Sequence, residues 1–261
     1  MAENNTKIIA ITNQKGGVGK TTTSVNLATA LAACGMRVLL IDFDPQGNAS
    51  TGLGVEVADR QADSYRLLAG STDAREAACE TLVPGLMLIP ATLDLSAVEV
   101  ELSDADQREF RLQQALQPVR AEYDYILIDC PPSLGLLTVN ALVAADSVLV
   151  PLQCEFYALE GLAQLLRTVE AVRARLNPAL ALQGIVLTMY DSRNNLSDQV
   201  VADVRAHFGE QVYQTVIPRN VRVSEAPSFG QPVLVYDLKC AGALAYAALA
   251  AELLKQEKKA A

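Results

Sequence analysis

The segment that decides the fold is Lys7-Ile-Ile-Ala-Ile-Thr-Asn-Gln-Lys-Gly-Gly-Val-Gly-Lys-Thr-Thr22, near the start of the 261-residue sequence. It opens with an apolar run of strand length and passes into a glycine-rich loop. Beyond the loop, Val25, Ala28 and Leu31 recur every three residues, which is the spacing of one helix face. A glycine-rich loop between a strand and a helix is the setting of a phosphate-binding loop, so the segment predicts one.

The residues of this loop suit phosphate and magnesium chemistry. Gly16, Gly17 and Gly19 allow the backbone to curl so that successive N–H groups point at phosphate oxygens, and the following helix adds its positive end. Lys20 is expected to bind the β- and γ-phosphates, and Thr21 to offer its hydroxyl to Mg²⁺. The plain alternative is a tight glycine-rich turn without a ligand, which the flanking strand and helix disfavour.

The loop departs from the general pattern G-x-x-x-x-G-K-[ST], because Gln14 replaces the first glycine. A second lysine, Lys15, stands beside it. Since one lysine is enough for the bound phosphates, an additional cation suggests charge stabilisation during phosphoryl transfer, in the manner of an arginine finger. Taken alone, Lys15 also fits a solvated loop charge.

Short apolar runs alternate with helical patterns along the chain, and the runs of strand length are 7–12, 37–42, 86–90, 125–129, 147–151 and 184–188. Strands that are apolar on both faces belong in parallel sheets covered by helices. The clearest helix is predicted over 159–176, where Asn177-Pro178 ends it. We therefore predict an α/β fold with a doubly wound, mostly parallel sheet and helices on both faces.

The domain organisation is expected to be simple. No repeat or linker divides the chain, so we predict a single domain over 1–261. The less periodic stretch 52–85 is expected to form helical insertions at the edge of the sheet. The charged residues 255–261 are expected to form a short tail beyond the last helix.

Composition excludes several classes of protein. The chain has 21 Lys and Arg against 30 Asp and Glu, a net charge of −9, one histidine (His207) and five scattered cysteines without a C-x-x-C. These counts argue against a histidine-built metal site, a Ser/His/Asp hydrolase and a disulfide or zinc framework. The acidic balance argues against binding nucleic acid with the whole surface, but not against a local patch. With neither a signal-peptide pattern nor an apolar run of about 18 residues, a cytoplasmic protein is expected.

Three aspartates follow predicted strands and are expected at the carboxyl edge of the sheet, where ligands bind in open α/β folds. Asp129 ends the run 125–129 and is the expected Mg²⁺ ligand, directly or through a water. Its alternative role as a helix cap is weak, because Pro131 and Pro132 follow. Asp42 ends the run 37–42 and Asp44 lies two residues beyond it, so both are expected at the same edge position.

Four ordered motifs resemble those of one known family: Lys15-Gly-Gly-Val-Gly-Lys-Thr21, Ile41-Asp-Phe-Asp-Pro-Gln-Gly-Asn-Ala-Ser-Thr51, Ile128-Asp-Cys-Pro-Pro-Ser133 and Val216-Ile-Pro-Arg-Asn-Val-Arg-Val-Ser-Glu-Ala-Pro-Ser228. The first resembles the deviant Walker A motif of the ParA/MinD ATPases. The chain resembles the chromosomal ParA (Soj) branch over essentially its whole length. The resemblance implies a P-loop NTPase fold of the deviant Walker A type and an ATPase that uses Mg²⁺.

The resemblance also implies roles for the catalytic residues. In that family two subunits sandwich two ATP molecules, which implies an ATP-bound homodimer in which Lys15 reaches the partner's nucleotide. Asp44 becomes the switch residue that orients the attacking water, and Asp42 a structural neighbour. Lys20 and Asp129 complete the implied catalytic set. Slow hydrolysis is implied, with stimulation by a ParB-like centromere-binding partner.

Base and DNA recognition are implied for the C-terminal third. The adenine is placed against Pro218 and Asn220, and Arg193 and Arg222 match family positions that bind DNA phosphates. Arginines of this kind bind double-stranded DNA without reading bases, which implies a nucleoid-associated protein. Arg219 is interpreted as an exposed charge. The implied ATP-binding residues are Lys15, Gly16, Gly17, Val18, Gly19, Lys20, Thr21, Thr22, Pro218 and Asn220.

Two alternatives stay open at this point. A MinD-like membrane ATPase would need a basic, large-apolar amphipathic helix at its end, whereas 241–254 is rich in alanine, so no stable membrane association is expected. A kinase or ligase of small molecules could use the same phosphate loop and would need an added metabolite for turnover.

Overall fold

One eight-stranded sheet organises the protein in the computed structural model, which describes residues 6–260. Residues 1–5, where the sequence lacks a signal-peptide pattern, lie outside the described residues. The strands are β1 (Lys7–Ile11), β2 (Val38–Asp42), β3 (Cys79–Glu80), β4 (Leu86–Ile89), β5 (Tyr125–Asp129), β6 (Ser147–Gln153), β7 (Ala181–Tyr190) and β8 (Val212–Pro218).

The strand order is β3-β4-β2-β5-β1-β6-β7-β8, and every neighbouring pair is parallel except β3 and β4. Strands β2 to β5 lie on one side of β1 and β6 to β8 on the other, so the winding direction changes at β1. Ligands of such sheets bind beside this change, outside the carboxyl ends of the strands. The predicted doubly wound, mostly parallel α/β fold is confirmed.

Helices cover both faces of the sheet. In the described part of the chain they are α1 (Lys20–Ala33), α2 (Asn48–Gly52), α3 (Ser64–Ala69), α4 (Ala74–Ala77), α5 (Val98–Glu101), α6 (Arg111–Leu116), α7 (Leu136–Ala144), α8 (Ala158–Arg175), α9 (Asn195–Phe208), α10 (Val221–Glu225), α11 (Val233–Tyr236) and α12 (Ala241–Ala260). Among these residues, none of the helices has both the length and the apolar character needed to cross a membrane.

Strand β1 shows why both faces need helices. Ile8 and Ala10 belong to the core that includes side chains of α7 and α8, while Ile9 and Ile11 belong to the core that includes side chains of α1 and α12. Burying an aliphatic side chain as large as isoleucine contributes about 1.5–3 kcal/mol. The strand that leads into the phosphate loop is therefore fixed from both sides.

Two strands were not among the predicted runs. β8 is an edge strand whose interior carries Gln214 and Thr215, so it lacks a continuous apolar run. The Glu252 carboxylate of α12 accepts hydrogen bonds from both of their backbone N–H groups, at 2.7 and 2.9 Å. β3 has only two residues, which is too short for a periodic signal.

The stretch 52–85 and the end of the chain contain more regular structure than the sequence predicts. The stretch 52–85 contains α3, α4 and a 3-10 turn at Val57–Asp59, together with the antiparallel strand β3. The expectation of a charged tail beyond the last helix is wrong, because α12 continues to Ala260. The Tyr125 hydroxyl donates to the Glu257 carboxylate and ties this end of the helix to β5.

Candidate active site

The glycine-rich loop lies between the ends of β1, β6 and β7 and is held by side chains on both sides. Asn13 donates from Nδ2 to the Pro151 carbonyl at 2.8 Å and accepts from the Lys15 N–H at 3.0 Å. The Thr188 hydroxyl donates to the Val18 carbonyl at 2.8 Å. Pro151 of β6 and Thr188 of β7 are both buried. These bonds therefore fix the loop before any ligand binds.

Two glycines make the loop geometry possible. Gly17 and Gly19 have φ values of 76° and 88°, in the left-handed region that other residues rarely adopt. Gly19 directly precedes α1, so the first N–H groups of that helix open into the loop. This arrangement can accept the oxygens of a phosphate chain.

The two loop lysines have opposite environments. Lys20 is 7% exposed, and its Nζ donates to the Lys15 carbonyl at 3.0 Å. Burial lowers the pKa of Lys20, while the negative charges of Asp129 and Asp44 oppose that shift. The Lys15 side chain is 44% exposed and forms an ion pair with Glu155, which follows β6. Lys20 therefore lies in the interior of the loop, and Lys15 lies at its rim.

The strand register brings the carboxylates of β2 and β5 side by side. Asp42 pairs with Asp129 at the carboxyl edge, and both are fully buried. The Asp42 carboxylate accepts from the N–H and hydroxyl of Ser50 at 2.7 and 2.6 Å, so it anchors α2. Asp44 is 9% exposed and accepts from the Gln46 N–H at 3.0 Å. Asp42 thus supports the loop on which Asp44 faces the site.

Asp129 has the character of a cation ligand. Its Oδ1 accepts from the Ser24 hydroxyl at 2.8 Å, but its buried Oδ2 has no hydrogen-bond partner within residues 6–258. Burial, and then the charge of Asp42, raise the pKa of Asp129, while the Ser24 and Thr21 hydroxyls oppose the rise. A buried carboxylate oxygen without a partner, next to a threonine hydroxyl, fits a divalent cation.

The same part of the chain contains no cluster of three or more His, Cys, Asp or Glu side chains that could enclose a metal. Mg²⁺ usually takes one or two carboxylates and completes its shell with phosphate oxygens and waters. The donor set at Thr21 and Asp129 therefore fits Mg²⁺ in the presence of a nucleotide.

A cavity of about 350 Å³ lies beside the loop and contains both predicted base-contacting residues. Gly19 and Thr22 line one side, and Pro218 and Asn220 line the other. The Asn220 Oδ1 accepts from the Arg222 N–H at 2.9 Å and caps α10, which fixes this wall. The sequence did not identify three further lining residues, Thr188, Met189 and Tyr246, which lie outside the quoted motifs.

The two predicted DNA-binding arginines lie at the same edge of the sheet. Arg193 follows β7 and Arg222 lies in α10 after β8, and Tyr190 at the end of β7 pairs with Pro218 at the end of β8. Their guanidinium groups are largely exposed, with side-chain exposures of 84% for Arg193 and 53% for Arg222.

The fold and this site define a P-loop nucleoside triphosphatase. A family model described as an AAA domain matches residues 6–182. The chromosome partitioning protein ParA of Caulobacter vibrioides is 63% identical, over 99% of this chain and 97% of its own length. The sporulation initiation inhibitor protein Soj of Bacillus subtilis is 57% identical, over 95% of this chain and 98% of its own length.

A solved structure is similar to this chain in both fold and sequence. The Mycobacterium smegmatis protein described as cobyrinic acid a,c-diamide synthase, with bound ATP analog and magnesium, has a TM-score of 0.86 and 39% identity. The match covers 98% of this chain and 97% of that one. The chain belongs to the ParA/Soj family of chromosome-partitioning proteins and is an ATPase of the P-loop type.

Proposed function

We propose that the chain is a DNA-partitioning ATPase in which Mg²⁺-ATP joins two copies into a sandwich dimer that binds DNA without sequence preference. The observation that carries the proposal is the opposite placement of the two loop lysines. Lys20 is buried beside carboxylates of its own chain, whereas Lys15 stands at the rim with much of its side chain exposed. A cation at the rim is suited to contact phosphates that a second subunit presents.

In this proposal the loop residues 15–22 hold the phosphates, with Lys20 on the β- and γ-phosphates. Thr21 and Asp129 would hold Mg²⁺, because the Asp129 Oδ2 is otherwise left without a partner in residues 6–258. When bound, Mg²⁺ neutralises charge on the phosphate oxygens. The adenine occupies the cavity beside Pro218 and Asn220.

Hydrolysis then depends on two groups that act from different sides. Asp44 orients the water that attacks the γ-phosphate, and Lys15 of each subunit stabilises charge on the partner's nucleotide. Cations that act in this way accelerate phosphoryl transfer by about 10³–10⁵. In the monomer Lys15 is paired with Glu155, so slow turnover is expected until a ParB-like partner favours the ordered dimer.

DNA binding is proposed for Arg193 and Arg222, which neutralise phosphates without contacting base edges. Each subunit offers a small patch on a chain with a net charge of −9, so one copy binds weakly. The dimer doubles the patch, which makes retention on DNA depend on ATP. Such a protein is cytoplasmic and associated with the nucleoid in its ATP-bound form.

The test is a binding assay with ATP, ADP or no nucleotide, run side by side against double-stranded DNA and anionic liposomes. We expect ATP-dependent retention on DNA that falls steeply with salt, and no retention on liposomes. Lys20→Ala serves as the control that cannot bind nucleotide. Equal DNA retention with and without ATP would overturn the proposal that ATP controls DNA binding.

The same assay separates two alternatives. A MinD-like membrane ATPase predicts ATP-dependent sedimentation with liposomes, but Tyr246, Leu249 and Leu253 of α12 are buried in the protein core. The description of the M. smegmatis relative favours a metabolite-dependent enzyme as the other candidate. That candidate predicts ATP turnover that requires an added metabolite and does not respond to DNA.

A further inference from the structure

Arg193 is already engaged by a carboxylate of its own chain. Its Nε and Nη2 donate to Oδ1 and Oδ2 of Asp191 at 2.9 and 2.7 Å. The Arg193 backbone N–H donates to the same Oδ1 at 3.1 Å. Two parallel bonds from a guanidinium are also the geometry in which arginine binds phosphate. Asp191 therefore occupies two of the five guanidinium donors, and its negative charge opposes the approach of a DNA phosphate to the remaining ones.

Arg222 contacts two carboxylates, one through a single hydrogen bond and the other through a longer ion-pair contact. Its Nη1 donates to the Glu225 Oε2 at 2.9 Å, and its Nε lies 3.6 Å from the Asp237 Oδ2. The Tyr236 hydroxyl lies at 3.5 Å from the same Glu225 oxygen. The guanidinium is thus held against α10 and the end of α11 while remaining half-exposed.

Positive charge at this edge of the sheet is offset as a result. Arg219 also lies there, since its N–H donates to the Tyr190 carbonyl at 2.8 Å. The hydrogen bonds from Arg193 lower the pKa of Asp191, and the charges of Arg193 and Arg219 add to that shift. The cations of this edge are Arg193, Arg219 and Arg222, and its carboxylates are Asp191, Asp198, Glu225 and Asp237. A patch whose positive charges are offset in this way attracts a polyanion weakly.

We propose that Asp191 and Glu225 mask the two arginines and set the DNA affinity of each subunit low, so that retention on DNA needs the two patches of a dimer. The inference rests on the proposed function and adds its regulation. The arginines of both pairs are more than half exposed and the carboxylates are partly exposed, and ion pairs this close to solvent are weak and screened by salt. DNA phosphates can therefore displace the carboxylates, but only at a cost in affinity.

The test uses Asp191→Asn and Glu225→Gln, which remove a charge and keep the shape. Asparagine still accepts the N–H of Arg193, so the turn is preserved. Affinity for a labelled duplex of random sequence is measured at about 50–200 mM salt, with and without ATP. We expect affinity to rise about two- to fivefold for each variant, the range that one exposed ion pair covers. The slope of log affinity against log salt should steepen by about 0.9 for each phosphate gained.

Two controls separate unmasking from a general loss of negative charge. Asp203→Asn makes the same charge change on α9, where its exposed side chain has no ion-pair or hydrogen-bond partner in the described residues. Asp191→Asn is also measured in an Arg193→Ala background, where its gain should fall to that of Asp203→Asn. Gains in the wild-type background no larger than that of Asp203→Asn, or gains above it that persist without Arg193, would overturn the masking. Absence of ATP-dependent DNA binding by the wild-type chain would instead overturn the proposed function.

Discussion

Replacing Asp129 with asparagine is expected to stabilise the protein when neither nucleotide nor Mg²⁺ is present. The carboxylate is fully buried, Oδ2 lacks a partner in residues 6–258, and Asp42 lies beside it on β2. Lys20 is the buried cation that offsets these charges, and Asp44 adds a further negative charge to the group. The site therefore holds more negative than positive charge until a cation enters.

The magnitude follows from the buried charge. A buried polar group without a partner costs about 1–3 kcal/mol, and a charged group costs more. Asparagine puts a neutral amide in place of the carboxylate and still accepts from the Ser24 hydroxyl, so the gain from removing the charge is taken as about 1–3 kcal/mol. For a domain of this size each kcal/mol shifts Tm by about 2–4 °C, so a rise of about 2–12 °C is expected.

The effect should depend on pH in a defined direction. Because burial and the charge of Asp42 raise the pKa of Asp129, the folded state binds its proton more tightly than the unfolded chain does. The free energy of unfolding of the wild type therefore falls as pH rises from about 4 through the raised pKa. Asp129→Asn lacks this contribution, so the difference in Tm between the two proteins should be greatest above neutral pH.

The assay is thermal unfolding followed by circular dichroism in EDTA across pH 5–8. Asp124→Asn is the matched control, because Arg37 lowers the pKa of Asp124 and the same substitution there should destabilise. With Mg²⁺-ATP at about 100 times its Kd the wild type should gain about 2.7 kcal/mol, and Asp129→Asn should gain less. A Tm for Asp129→Asn at or below that of the wild type above pH 7, without ligands, would refute the reasoning.

Three further predictions concern the proposed cycle. Arg222→Ala should leave ATP affinity unchanged in a filter assay and weaken DNA retention at least tenfold, and retention at moderate salt would contradict the patch. Asp44→Ala should remain as an ATP-bound dimer by light scattering, with phosphate release reduced at least a hundredfold; undiminished release would exclude its role in positioning water. Lys20→Gln should weaken ATP binding itself, whereas Lys15→Gln should keep ATP affinity and lose stimulated hydrolysis by about 10³ or more.

The sequence predicts the parts of the fold whose physical causes are local. The strands that carry the site are continuous apolar runs because helices cover both of their faces. This pattern can be recognised in the sequence before the topology is known. β8 does not show it, since an edge strand tolerates Gln214 and Thr215 and obtains hydrogen bonds for its free N–H groups from Glu252. The contact between Tyr125 and Glu257, which fixes the end of α12 on β5, is not revealed by any short-range pattern.

The candidate site likewise has features that the sequence predicts and features that it does not. That Asp42 and Asp129 meet at one edge follows from parallel strands ending together, so their proximity was predictable. The pairing of Lys15 with Glu155 and that of Arg193 with Asp191 depend on how loops turn after β6 and β7, which the residue types leave open. Sequence motifs therefore indicate which charged residues are present. The conformations of the loops determine which of them form ion pairs.

A backbone contact lies between the proposed nucleotide site and the proposed DNA-binding edge. Asp42 anchors α2 through Ser50, and Gly54, just beyond α2, packs against Gly230 in the turn after α10. Both glycines have left-handed φ values, and a Cβ at Gly230 would lie 2.8 Å from the Gly54 Cα. Since no side chain cushions this contact, a displacement of α2 must be absorbed by the turn beyond it. In the proposed cycle, this contact places the turn that follows the Arg222 helix directly against the segment that follows the Asp44 loop.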